Sequence, residues 1–134
     1  MSERALAKRV VKLLGPLDAV RVENPCHPGT PDVNYIHGWL ELKQLDAWPK
    51  RETTCVRVPH FTPQQRIWLQ RREKKGGVAH VLLQVGSEYL LLSGGTAATL
   101  LGTSTQAKLR SAALYVWDSS TFNDELLSCL KLGT

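Results

Sequence analysis

Residues 32 to 45 read Asp-Val-Asn-Tyr-Ile-His-Gly-Trp-Leu-Glu-Leu-Lys-Gln-Leu, and their alternation decides how the chain is read. Two strand-like runs, DVNYI (32 to 36) and WLELKQL (39 to 45), meet at His37-Gly38. A two-residue connection of this kind suits a tight hairpin with Gly38 at positive φ. With that turn, Ile36 pairs with Trp39, Asn34 with Glu41 and Asp32 with Lys43. Side chains alternate across a strand, so Trp39, Glu41 and Lys43 share one face while Leu40 and Leu42 share the other. The two leucines seek the core and thereby fix the polar face.

Directly opposed side chains in such a hairpin start roughly 4.5 to 5.5 Å apart, and diagonal neighbours roughly 7 to 8 Å apart. Asp32, Glu41 and Lys43 are therefore expected to converge on one small volume. Magnesium takes oxygen ligands, commonly one or two carboxylates completed by water and a substrate phosphate, and Asp32 with Glu41 supplies the carboxylates. Lys43 adds a cation beside them. An ordinary exposed Glu/Lys ladder would produce the same short pattern, so the surrounding chain has to decide between the two.

Residues 2 to 14 (SERALAKRVVKLL) predict a helix with a Leu6, Val10, Leu13 and Leu14 stripe, ended by Gly15-Pro16. AVRVE (19 to 23) predicts a short strand, and the Pro-, Gly- and Asn-rich residues 24 to 31 a loop. Residues 46 to 60 read mainly as loop, with a strand allowed at 54 to 58. Thr62 is an N-cap candidate directly before Pro63, and PQQRIWLQRREKK makes a second helix stopped by Gly76-Gly77. VAHVLLQV and EYLLL then read as antiparallel strands about a Gly86-Ser87 turn. TAATLLG after Gly94-Gly95 reads as a short helix, residues 112 to 117 as a strand, and Phe122 to Leu132 as a terminal helix capped near Ser119 to Thr121. The expected fold is a single α/β or α+β domain with a central mixed sheet flanked by helices.

A chain of 134 residues with 43% hydrophobic and 22% charged residues fits one globular domain with one core. No run approaches the roughly 18 apolar residues of a membrane span, and the first residues lead into a charged segment, so the expected setting is cytoplasmic with no membrane partner. Cys26, Cys55 and Cys129 are odd in number and widely spaced, and His27, His37, His60 and His80 are scattered. That pattern argues against a disulfide framework or a structural zinc site and for buried thiols with partly exposed imidazoles.

The net charge of +5 is unevenly placed: residues 1 to 75 hold fourteen Lys/Arg against eight Asp/Glu, and residues 76 to 134 hold three against four. Clustered cations release counterions when they neutralise phosphates, so this asymmetry suggests a polyanionic partner, though a solvated basic face would look alike.

Pro31-Asp32 followed by Glu41-Leu42-Lys43 resembles the PD-(D/E)XK nucleases, a superfamily with a restriction-endonuclease-like core. The resemblance extends to Ser2-Glu3-x-x-Leu6 on the first helix, and to Thr62-Pro63-Gln64-Gln65-Arg66-Ile67-Trp68-Leu69 before a glycine pair and a Val-rich strand. These are similar to the virus-type replication-repair (VRR-NUC) nucleases and archaeal Holliday junction resolvases. The strand VAHVLLQVG lacks the arginine that gives the virus-type subgroup its name.

The resemblance implies a magnesium-dependent DNA endonuclease, with manganese substituting, that acts in replication, recombination or repair. Asp32, Glu41, the Leu42 backbone carbonyl and Glu3 would hold the metal. Lys43 would position or help deprotonate the attacking water, and Gln65, or failing that Gln64, would lie beside it. Cleavage would leave a 5′ phosphate and a 3′ hydroxyl. Candidate backbone contacts are Arg4, Lys8, Arg9 and Lys12 on the first helix, Lys50 and Arg51 in the loop, and Arg66, Arg71, Arg72, Lys74 and Lys75 on the second helix. Such enzymes often act as homodimers, for which the terminal ELLSCLKL is the candidate surface. Two other classes compete: a catalytically inactive module that keeps the fold to bind DNA or a partner, and a metal-dependent hydrolase acting on RNA or a small phosphate ester.

Overall fold

A computed structural model describes residues 2–131. A six-stranded mixed sheet runs in chain order, built from β1 (Val20–Arg21), β2 (Val33–Tyr35), β3 (Gly38–Leu45), β4 (Ala79–Val85), β5 (Glu88–Ser93) and β6 (Tyr115–Trp117). All neighbours are antiparallel except β3 and β4, which run parallel and are joined through α2 (Pro63–Lys74). The fold is therefore α+β, with helices on both sheet faces.

Each face carries its own core. On one, α1 (Glu3–Leu13) and the terminal helix lay Leu6, Val10, Leu126 and Leu130 against Leu40, Leu42 and Leu82 of the sheet. On the other, α2, α3 (Gly94–Leu100) and α4 (Gln106–Ala112) cover Val81, Leu83 and Val85 with Leu69, Ala97 and Leu109. Strand β4 lies between these layers and is buried at every residue, the polar His80 and Gln84 included, so apolar residues face both layers instead of alternating with exposed ones. Each fully buried leucine contributes about 1.5 to 3 kcal/mol from the area it removes from water.

The two predicted long helices form where expected, with the local chemistry that starts them. Ser2 caps α1 by accepting the Ala5 N–H at 3.1 Å. Thr62 and Gln65 form a capping box at α2, with Pro63 in its first turn. Residues 24 to 31 form the expected loop, and Gly86-Ser87 the expected tight turn between β4 and β5.

The hairpin register differs from the expected one. Val33 pairs with Leu40, Asn34 with Trp39 and Tyr35 with Gly38, so the two loop residues are Ile36 and His37. The shift is by two, which preserves which side chains share a face. It also moves Asp32 opposite Glu41 instead of Lys43. Gly38 is required for closeness rather than for positive φ: a Cβ there would lie 2.4 Å from the Val78 carbonyl oxygen.

Other boundaries moved as well. The predicted strand at 19 to 23 shrinks to two residues, and residues 54 to 58 contribute only an isolated bridge between Cys55 and Thr105. α3 starts at Gly94 itself, because Ser93 caps it, and α4 occupies residues 106 to 111, for which no element was expected, together with Ala112, expected in the following strand. The strand expected at 112 to 117 is confined to 115 to 117. The terminal helix, α5 (Ser119–Lys131), begins earlier than expected, with the Asp118 carboxylate accepting the Thr121 N–H at 2.9 Å. Leu132 lies outside the described residues.

Cys26 and Cys55 are exposed rather than buried, and Cys129 is buried. Among the described residues no helix is long and apolar enough to cross a membrane.

Candidate functional site

The site lies where the sheet forks. β2 pairs with β3 only as far as Val33 and Leu40, whereas the β3 and β4 ladder continues to Leu45 and Val85. From Glu41 onward the β2 side of β3 is therefore open to side chains. Asp32 fills the first step of that opening: its Oδ2 accepts the Leu42 N–H at 2.9 Å, and its carbonyl accepts the Val22 N–H at 2.8 Å. In a strand the N–H and C=O of one residue point to the same edge, so the Leu42 carbonyl faces the same notch.

A cavity of about 240 Å³ occupies this notch, and its walls include Glu3, Asp32, Glu41, Leu42, Lys43 and Gln65. Every residue proposed for catalysis or metal binding thus lines one space. Glu41 and Lys43 point to the α2 side, as Trp39 and Leu45 do, but this face is not a solvated ladder. They are 1% and 3% exposed.

Lys43 Nζ lies 3.3 Å from Glu41 Oε2 and 4.0 Å from Glu3 Oε1, donates to the His60 carbonyl at 3.1 Å, and sits 5.5 Å from the centre of the Phe61 ring. The amine is held from four directions. Burial and the facing Asp32 carboxylate push the Glu41 carboxyl up to about 8, although Lys43 pulls it down. Glu41 Oε1 is buried with no hydrogen-bond donor. Asp32 is itself an acceptor when ionised, so without another cation the pair can bond only through a shared proton.

Glu3 is exposed and reaches the site through Lys43. Gln65 is tied into the capping box: its Oε1 accepts the Thr62 N–H at 3.0 Å, so the side chain that lines the cavity also starts α2. Three wall residues were not anticipated: Ala7, Arg21 and His60. Arg21 enters from β1, and His60 stands at φ +65°, a left-handed conformation that aims its carbonyl at Lys43. Pairing β1 beside Asp32 would have flagged Arg21. Nothing local in the sequence foretells the His60 backbone.

The basic residues separate into two groups. Arg4, Lys8, Lys12, Lys50, Arg51, Arg71, Lys74 and Lys75 are exposed. Arg9 instead binds the Tyr89 hydroxyl at 2.6 Å and the Asn123 side chain, over the Tyr89 and Phe122 rings. Arg66 donates to the Ala98 carbonyl at 2.8 Å and lies over the Phe61 ring, and Arg72, although exposed like the first group, lies 4.3 Å over the Trp68 ring. These three take part in packing. The terminal helix likewise buries Leu126, Cys129 and Leu130 within its own domain, so these side chains are not available as the dimer surface expected of ELLSCLKL.

No protein-family model and no curated protein sequence matches the chain.

Proposed function

We propose that the protein is a metal-dependent phosphodiester hydrolase acting on DNA, in the manner of the PD-(D/E)XK nucleases it resembles. The observation that carries this reading is the Asp32 and Glu41 pair: two facing carboxylates, one of them buried with an orphaned oxygen, beside a buried lysine in a cavity open to solute. Burying like charges is costly unless a cation compensates them, and Lys43 supplies one charge against two, with Glu3 as a third acid alongside.

Among the described residues no three His, Cys, Asp or Glu side chains converge closely enough to hold a metal between them. Magnesium does not need three: it commonly keeps several waters and takes one or two carboxylates with phosphate oxygens. Asp32 and Glu41 fit that donor set, with the Leu42 carbonyl in the same notch and Glu3 at its mouth. When bound there, the ion would neutralise charge on the phosphoryl oxygens and make water a better nucleophile.

The chain's own residues supply the rest. Lys43, fixed by Glu41, Glu3 and the His60 carbonyl, holds positive charge where the phosphoryl group gains negative charge, which is the preorganisation that stabilises such transition states. Glu41 and Asp32 orient the water and accept its proton. The exposed lysines and arginines of α1, α2 and the 46 to 60 loop attract the sugar-phosphate backbone without reading base identity.

The test is nicking of supercoiled plasmid with and without magnesium by wild type, Asp32→Ala and Lys43→Ala. Magnesium-dependent nicking by wild type alone supports the proposal. Equal nicking by all three points to a contaminant, and magnesium-independent binding without nicking leaves the inactive-module reading in its place.

A further inference from the structure

The candidate catalytic cavity shares two of its walls with a neighbouring groove. Ala7 and Arg21 also line a second groove of about 490 Å³ along the exposed side of α1, with Arg4, Ala5, Lys8 and Val11 among its walls. Ala7 and Arg21 are walls of both spaces, so the two lie side by side. The groove has an apolar floor of Ala5, Ala7 and Val11 and a cationic rim of Arg4, Lys8 and Arg21. Among the described residues no acidic side chain lines it.

A paired duplex offers this groove little. Its base planes are stacked inward, so it presents charged backbone and groove edges, which engage the rim but leave the floor uncovered. An unpaired nucleotide carries both parts at once: a phosphate for the cations and an apolar ring face for the floor and for the arginine planes. The volume falls in the range of about 300 to 1,000 Å³ typical of clefts that take a small organic group.

We propose that this groove binds an unpaired nucleotide next to the scissile phosphate, so that the preferred DNA carries a single-stranded segment at the cut, with Arg21 on the phosphate between the two spaces. This rests on the hydrolase reading above and names its substrate class.

The experiment measures fluorescence anisotropy in chelator, so that binding is read without cleavage. The probes are labelled duplexes of one sequence, either blunt or carrying an extension of about ten nucleotides, within the length that one single-strand site covers. The extended duplex is expected to bind about three- to fivefold more tightly than the blunt one, the scale of one exposed contact between an arginine and a ring face. Arg21→Ala removes the shared cation. Ala5→Leu fills the floor without changing charge and keeps a good helix former in α1. Each variant should bring the ratio close to one, with an unchanged circular-dichroism melt.

No preference in wild type, a preference untouched by both variants, or an equal loss on both probes would overturn the inference. So would Arg21→Ala acting alone with Ala5→Leu silent, since that describes a charge effect with no seat for a base. Failure of the hydrolase reading is separable: a preference for the extension without magnesium-dependent nicking supports the groove and sinks the chemistry. Nicking that is indifferent to an extension does the reverse.

Discussion

Asp32 Oδ2 accepts the Leu42 backbone N–H at 2.9 Å, so a side chain completes the strand edge that β2 leaves open. One carboxylate thereby does two jobs, holding β3 in place and facing Glu41. The jobs separate by substitution. Asp32→Asn keeps an oxygen for Leu42 and loses the charge, so nicking should fall by about a hundredfold or more while the melting temperature barely moves. Asp32→Ala loses both, and removing the charged acceptor from Leu42 should also lower stability by about 1.5 to 3 kcal/mol. Plasmid nicking and thermal melts on the same preparations check this. A melt equally low for both variants would show that charge, rather than the Leu42 bond, holds the strand.

Glu41 opposes folding when it is ionised. Its carboxyl stands at about 8 in the folded chain against 4.5 ordinarily, so the folded state binds the proton more tightly than the unfolded state. In chelator, the stability of wild type should therefore fall as pH rises from about 4.5 to about 8, then level off. Glu41→Gln cannot ionise and can donate to Asp32, so its melts should lose this slope and exceed wild type at alkaline pH, while nicking is abolished. Magnesium should raise the alkaline melting temperature of wild type and leave that of the variant unchanged. Parallel pH slopes for the two proteins would mean that the acid pair does not carry the cost.

The clustering of the candidate site residues was legible because its signals are local. Alternation of Leu40 and Leu42 against Glu41 and Lys43 survives any register shift by two, so mistaking the loop for His37-Gly38 moved the partner of Asp32 without turning a side chain to the wrong face. What failed depends on contacts distant in sequence. Gly38 reads as a turn glycine until the Val78 carbonyl is seen against it. α4 is seven residues long and buries Gln106 and Leu109, too short a span to show a helical period, although Thr105 stands at its start as a recognisable cap. Arg9 reads as one more exposed cation until Tyr89 and Asn123, 80 and 114 residues away, close around it.

That placement of Arg9 gives a prediction about charge. Arg9→Gln should lower the melting temperature, because it removes the bonds that tie α1 to α5 and β5, yet it should leave the salt dependence of DNA binding as it was. Lys8→Gln, one residue away and exposed, should do the opposite: no change in melt, and a slope of log affinity against log salt shallower by about one. Salt titrations of anisotropy on the two variants distinguish packing from phosphate contact. A shallower slope for Arg9→Gln would return Arg9 to the DNA interface.

The loop before Asp32 is held by Gly29, and through it the geometry of the carboxylate pair is exposed to a single methyl group. Gly29 has φ +91°, and a Cβ there would lie 2.5 Å from the Gln64 carbonyl carbon and oxygen and 2.8 Å from the Gln65 nitrogen. These atoms belong to the first turn of α2, fixed by the Thr62 and Gln65 capping box, so they cannot yield without undoing the helix start. Gly29→Ala must therefore push the loop, and Asp32 is only three residues on. The left-handed backbone alone costs about 1 to 2 kcal/mol, and the clash adds to it. Nicking should fall more steeply than this loss of stability explains, since the displaced group is the carboxylate, while binding of DNA at low salt through the exposed lysines persists. Gly15→Ala is the control: a Cβ there meets nothing within 4 Å, and both melt and nicking should stay at wild-type levels. Full activity in Gly29→Ala would show that Asp32 takes its position from Leu42 and Val22 alone, with the loop as a passenger.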